Sequence, residues 1–191
     1  MNIWDIRSRL YLIFRKRFLF RLILEQEKRQ ILSLLSHLEL HNTLVLDLGC
    51  GNGDSIALLP KSTRIIGVDI SPAMLHVAKR NYAVPLIQAD VMLLPFKPDS
   101  FDVITAIGIS EYQPDFELFI STISSILKYQ GCVLVTSSPP TFFSFFRRLL
   151  GVSISTISGR KIISIAMRTN LCCVGKTRSF MQDQFLFQKL A

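Results

Sequence analysis

Leu44-Val45-Leu46-Asp47-Leu48-Gly49-Cys50-Gly51-Asn52-Gly53-Asp54 decides how this chain is read. Its mostly apolar first residues read as a short buried strand, with Asp47 near the strand's end. Three glycines then alternate with other residues before Ser55-Ile56-Ala57-Leu58-Leu59 resumes as a helix. Strand, glycine-rich turn and helix make a nucleotide-type binding corner. Residues without a Cβ let the backbone approach a ligand and take dihedrals that other residues avoid, and a helix start offers free N–H groups. The glycine spacing discriminates among ligands. A dinucleotide fingerprint, G-x-G-x-x-G, requires its last glycine at position 54, where Asp54 stands.

Four further stretches follow. Ile65-Ile66-Gly67-Val68-Asp69-Ile70-Ser71-Pro72-Ala73-Met74-Leu75 reads as a second strand ending in an acid. Ala89-Asp90-Val91-Met92-Leu93-Leu94-Pro95-Phe96 reads as the end of a third strand, and Ser100-Phe101-Asp102-Val103-Ile104-Thr105-Ala106-Ile107-Gly108 as a fourth. Leu127-Lys128-Tyr129-Gln130-Gly131-Cys132-Val133-Leu134-Val135-Thr136 reads as a helix-to-fifth-strand turn. In this order, over roughly residues 40 to 140, the five motifs resemble the class I S-adenosylmethionine-dependent methyltransferases of the small-molecule type.

The resemblance implies S-adenosylmethionine as cofactor. Asp69 would hold the ribose hydroxyls, Ile70 would pack on the adenine ring, and Asp90 would face the adenine. Asp47 would orient the glycine loop and the methionine end, the loop itself being Gly49, Cys50, Gly51 and Gly53. Val91 and Ile107 complete the expected cofactor-binding set. The residues taken alone also admit plainer roles. The glycines make a tight turn, Asp69 and Asp47 are capping acids, Asp90 starts a turn, and Ile70 belongs to a core.

Strand and helix signals alternate through the middle of the chain. Strands are expected at 44–48, 64–69, 85–89, 102–107 and 131–137, and helices at about 54–59, 72–80 and 115–128. Ser71-Pro72 is a helix start, with Ser71 as N-cap and Pro72 at the first helical position. Such alternation implies an α/β fold, a Rossmann-like doubly wound sheet with helices on both faces. Ligands of such sheets lie at the carboxyl ends of the strands, where Asp47, Asp69 and Asp90 converge. Arg160 to Asn170 reads as a helix, and Leu171 to Thr177 and Gln184 to Leu190 as two final strands. The resemblance implies that these pair antiparallel, closing a mostly parallel sheet of about seven strands. Residues 1–191 are expected to form a single domain: an N-terminal helical extension at 1–40, a cofactor-binding core at 41–140, and a C-terminal helix and strand pair at 141–191. The N-terminal helix spans residues 3 to about 38, with a break near Arg17 to Phe20.

Bulk properties narrow the function. The chain is 49% hydrophobic with a mean hydropathy of +0.37, yet no apolar run reaches the ~18 residues of a membrane span. The N-terminus lacks the layout of a signal peptide. A cytoplasmic or membrane-surface location is therefore expected. Cys50, Cys132, Cys172 and Cys173 form no C-x-x-C, and no histidine lies at ligand spacing from them, so no metal is expected. The net charge of +8 is concentrated between Arg7 and Arg29 and between Arg147 and Lys189, around an acidic middle. An acidic middle suits a cofactor carrying a sulfonium and an ammonium. Basic ends suit an anionic membrane surface or an acidic substrate. No recognisable nucleic-acid-binding module is visible.

The acceptor side is less legible. Glu111-Tyr112 follows the fourth strand, where many relatives carry Glu-His. Tyr112 replaces that histidine. It is the single catalytic candidate, against a packing role, and the general base is left unassigned. Tyr11-Leu12 stands where relatives often have Tyr-Asp over the cofactor. Leu10, Ile13, Phe14, Phe18 and Leu22, flanked by Arg7, Arg15, Lys16, Arg17 and Arg21, give the N-terminal helix an apolar face for either a lid or a lipid interface. Phe142 to Leu150 is a second aromatic-rich amphipathic stretch. His37, His41 and His76 read as surface or packing residues, and Asp102 as a structural acid far from the ligand. The expected function is methyl transfer to a small hydrophobic acceptor, lipid-like or quinone-like. The alternatives are a non-catalytic methyltransferase-fold partner subunit and an NAD-type oxidoreductase, the latter opposed by Asp54.

Overall fold

Period-two alternation sorts the strand side chains onto two faces of one sheet. The computed structural model describes residues 18–140, 155–179 and 181–190. Its strands are β1 (Leu44–Leu48), β2 (Arg64–Asp69), β3 (Leu86–Gln88), β4 (Phe101–Ala106), β5 (Leu127–Ser137), β6 (Leu171–Arg178) and β7 (Asp183–Lys189). They lie in the order β3-β2-β1-β4-β5-β7-β6. β1 to β5 pair in parallel, and β7 is antiparallel to both of its neighbours. The last strand in the chain therefore inserts between β5 and β6 and alone runs against the rest.

The four described α-helices are α1 (Phe18–Leu35), α2 (Pro72–Asn81), α3 (Phe116–Ile126) and α4 (Gly159–Arg168). Leu46, Ile104, Val133, Val135, Phe185 and Phe187 pack on the face covered by α3 and α4. Their strand neighbours Val45, Val103, Cys132, Leu134 and Leu186 pack on the opposite face with Ile31, Leu34 and Leu35 of α1 and Leu75 of α2. Burying both faces is what makes these strands nearly continuous apolar runs. The Ser71 hydroxyl accepts from Met74 N at the start of α2, and Pro72 sits in its first turn. Asp115 caps α3 and Ser158 caps α4 in the same way.

α1 runs against β6. Leu34 lies over Gly175, the Gln30 amide donates to Arg178 O at 3.0 Å, and the Glu27 carboxylate accepts from Ser179 Oγ at 2.9 Å. The Phe18 end of the helix thus points toward the carboxyl ends of the parallel strands. From Phe18 onward the helix is continuous, so the break expected near Arg17 to Phe20 does not extend into it. Residues 1–17, including Tyr11, and the stretch Phe142 to Leu150 lie outside the described residues.

Two expectations about the core are corrected. The helix expected at 54–59 is only a single 3-10 turn, Ile56–Leu58. Pro60 disfavours helical dihedrals at the residue before it, and Leu59 is extended. β5 begins at Leu127 rather than 131. Gln130 takes a positive φ of 59°, and a Cβ on Gly131 would lie 2.9 Å from Asp102 O. The chain between α3 and the central strand is therefore drawn against β4 as irregular strand.

Candidate active site

Three positive-φ glycines carry the chain out of β1. Gly49, Gly51 and Gly53 have φ of 66°, 53° and 92°. A Cβ on Gly49 would lie 2.5 Å from Ile109 Cδ1, and one on Gly53 would run into the Tyr82 ring. The loop is fastened by Cys50 N donating to Val68 O at 3.0 Å and Gly53 N donating to Cys50 O at 2.8 Å. Gly51 is different: the nearest atom to its Cβ position is the flexible Met74 methyl at 3.2 Å. It is therefore the open glycine of the loop, facing where a ligand would lie.

Asp69, at the end of β2, accepts from Gly51 N and from Ser71 N, each at 2.8 Å. Burial raises its carboxyl above the ordinary range, against the pull of these backbone donors. An ionised carboxylate has about four lone-pair sites, so acceptor capacity for ribose hydroxyls is left. Asp47 is fully buried in β1. It accepts from Ser55 Oγ at 2.5 Å and from Thr105 Oγ1 at 2.7 Å. Burial pushes it up to about 6, the two hydroxyls pull it back, and the nearby Asp69 charge adds to the rise. Neither acid forms an ion pair with a described residue. Among the described residues the two acids thus have no cationic partner, which suits a ligand carrying a sulfonium and an ammonium.

Beyond β4, Gly108 has a φ of 68°, and apart from its chain neighbours no described residue has an atom within 4 Å of its Cβ position. Its N–H donates to Thr136 Oγ1 at 2.7 Å. Ser110 Oγ donates to Thr136 O at 2.6 Å, and the buried Glu111 accepts from Ser138 Oγ at 3.1 Å. Ser155 N donates to Glu111 O at 2.7 Å. The ends of β4 and β5 and the approach to α4 are thereby joined around one mouth. Tyr112 is half-buried in the 3-10 turn Ser110–Tyr112 at this mouth.

The other expected residues divide by what they present. Ile70 is exposed beside Asp69. Asp90 is exposed, and its carboxylate accepts from Met92 N at 2.9 Å, a local turn. Val91 and Cys50 are buried, and Ile107 packs with the α1 face. The Cys50 sulfur lies toward Gly67, so its backbone rather than its thiol forms the loop. His37, His41 and His76 are exposed. Asp102 stands at the opposite, amino end of β4. Partial burial would raise it, but Lys128 at 2.7 Å, the Leu44 N–H and Arg64 together hold it below the usual range. Sequence reasoning missed Thr105 and Ser55 as partners of Asp47. The available signal was a hydroxyl between Ile104 and Ala106 in an otherwise apolar strand. A groove between α1 and β6, lined by Leu22, Gln26, Arg29, Gln30, Ser33 and Thr177, shares none of these residues.

The residues fit S-adenosylmethionine. The backbone at Gly51 and Gly108 leaves room that side chains would fill, and the two acids meet a cationic ligand's charge. Comparison with known proteins agrees. Residues 45–131 match the methyltransferase domain family. The chain is 29% identical over 116 residues to a malonyl-[acyl-carrier protein] O-methyltransferase of Legionella pneumophila, covering 57% of this chain and 41% of that protein. It is 44% identical over 98 residues to a trans-aconitate 2-methyltransferase of Enterobacter sp., covering 48% of this chain and 37% of that one. The chain thus matches about two fifths of the length of these relatives. Its fold superposes on the magnesium protoporphyrin IX methyltransferase of Synechocystis with bound S-adenosylhomocysteine at a TM-score of 0.76 and 16% identity, covering 91% of this chain and 88% of that one.

Proposed function

Because residues 45–131 match the methyltransferase domain family, we propose that this chain is a class I S-adenosylmethionine-dependent methyltransferase that transfers a methyl group to a small hydrophobic acceptor. The observation that carries the reading is the joined corner: an open glycine loop bonded to Asp69 beside the buried Asp47, facing the open backbone at Gly108. When bound, the cofactor supplies a methyl group already activated by its sulfonium.

The chain's own task is then alignment and exclusion of water. Asp69 and the Gly51 backbone hold the ribose side, and Asp47 sets the electrostatics beneath the loop. The Gly108–Tyr112 turn, braced by Thr136 and Ser138, forms the wall that the acceptor meets. Tyr112 is the acceptor-side candidate from this wall.

A hydrophobic acceptor is supported by the composition of two stretches of the sequence. Pro140 and Ser155 bound a stretch containing Phe142, Phe143, Phe145 and Phe146, and Ser155 is bonded to Glu111. α1 directs its amino end toward the carboxyl ends of the parallel strands, and in sequence it follows the apolar Leu10, Ile13 and Phe14. Peripheral attachment to an anionic membrane through the adjacent basic residues extends this reading.

Calorimetric titration with S-adenosylmethionine, S-adenosylhomocysteine and NAD tests the cofactor. Binding of the first two and not the third is expected, and the reverse result overturns the reading. Methyl label appearing in organic-extractable small molecules, in cells with but not without the protein, tests catalysis and the acceptor class. Binding without any label transfer marks a non-catalytic subunit. Sedimentation with anionic and neutral vesicles tests attachment. Equal recovery in the supernatant with both at low salt removes the membrane from the account.

A further inference from the structure

We propose that Thr105 and Ser55 are positioning residues for cofactor binding, their hydroxyls holding Asp47 as a carboxylate beneath the glycine loop so that cofactor affinity depends on the charge of Asp47. The proposal rests on the methyltransferase reading and adds to it a device that tunes the site.

The geometry places one donor on each side of the acid. Ser55 reaches Asp47 Oδ2 from the segment just after the glycines, and Thr105 reaches Oδ1 from the adjacent β4. Thr105 is 58 positions away in sequence but pairs with Asp47 directly in the parallel ladder. The Thr105 bond is made inside the protein, with Asp47 and Thr105 each 1% exposed, whereas the Ser55 bond is partly buried. A buried carboxylate without a cation is costly, and hydroxyl donors are what favour its charged form.

Among the described residues the titratable groups facing Asp47 are Asp69 on β2 and Cys50 in the loop; from β4 it meets the neutral Thr105. The Asp69 charge opposes ionisation of Asp47. The Cys50 thiol is pushed far up by burial and by both acids, so it stays neutral. Asp47 therefore sits close to its switching point, and two hydroxyls keep it on the charged side at neutral pH. A cationic ligand favours that same charged form. Affinity should accordingly fall as pH drops through about 6, by about tenfold between pH 7 and pH 5.

The test is calorimetric titration of the full chain with S-adenosylmethionine between pH 5 and pH 7. Thr105→Val keeps the β-branched shape of a central strand and removes the donor. It should raise the pH midpoint of binding by about one unit. Thr105→Ser should restore it, and Ser55→Ala, on a partly exposed loop, should shift it the same way as Thr105→Val. The Asp47 carboxyl carbon resonance in cofactor-free protein should titrate higher in both donor-deleted variants. Weaker binding at every pH with an unmoved midpoint and an unmoved resonance would mean a merely structural role and overturns the proposal. If Thr105→Val fails to fold, Ser55→Ala decides by the same two readouts. Wild type that does not bind S-adenosylmethionine at pH 7 overturns this proposal and the methyltransferase reading together. Normal wild-type binding with unmoved midpoints overturns this proposal alone.

Discussion

Gly51 N donates to Asp69 Oδ2 across 2.8 Å, so the acid ending β2 is fastened to the glycine loop that ends β1. The same carboxylate also accepts from Ser71 N, at the start of α2. One side chain thus fastens both the loop and the start of the second helix. Its removal should be felt in both folding and binding.

Asp69→Ala should weaken S-adenosylmethionine binding roughly ten- to two-hundredfold, since a hydrogen bond to a charged group is worth about 1.5–3 kcal/mol. It should also cost about 1 kcal/mol of stability, through the two backbone donors left to water, and lower Tm by about 2–4 °C. Titration calorimetry and a thermal melt read the two effects separately. Unchanged affinity would remove Asp69 from the site.

Gly51→Val should leave a folded protein that no longer binds the cofactor. The nearest atom to the new Cβ is the flexible Met74 methyl at 3.2 Å, followed by Gly49 O at 3.9 Å, so the main cost to the fold is the left-handed backbone, about 1–2 kcal/mol. Gly49→Ala should be worse for folding, because its Cβ meets Ile109 in addition to a φ of 66°. Circular dichroism with calorimetry on both variants checks the contrast. Normal binding by Gly51→Val would reduce the loop to a turn.

Asp47→Asn should stabilise the cofactor-free protein at pH 7 while weakening cofactor binding. Burial raises the folded-state value from 3.8 to about 6. The sign follows: the contribution of Asp47 to stability is fully present below pH 3.8 and is lost as pH rises through about 6. At pH 7 the buried charge therefore opposes folding by an amount on the order of 1–3 kcal/mol. The asparagine variant should melt higher than wild type at pH 7, and the gap should narrow toward pH 4. A lower Tm for the variant at both pH values would show that the lost hydroxyl bonds outweigh the buried charge.

Much of this molecule is written in local patterns. Short, nearly continuous apolar runs in Leu44–Leu48 and Val103–Ala106 specify strands buried on both faces, because successive side chains point to opposite sides of a sheet. Ser71-Pro72 specifies a helix start through one hydroxyl and one ring. The spacing of Gly49, Gly51 and Gly53 marks a loop with positive φ, since that conformation depends on the residue itself. Even the missed shortening of the helix after the loop was legible, in Pro60, as a rule acting on its immediate neighbour.

What the sequence could not specify depends on register and on distant partners. The hydroxyl of Thr105 reaches Asp47 only because β1 and β4 pair with those two residues side by side. The Gly51–Asp69 bond exists because β1 and β2 end together, and β7 separates β5 from β6 although it follows β6 in the chain. Propensity and periodicity act over a few residues and so determined the elements and the candidate acids. Only the tertiary structure decided which hydroxyls and amides those acids meet, because hydrogen bonds between strands are selected by how the whole sheet buries its two faces.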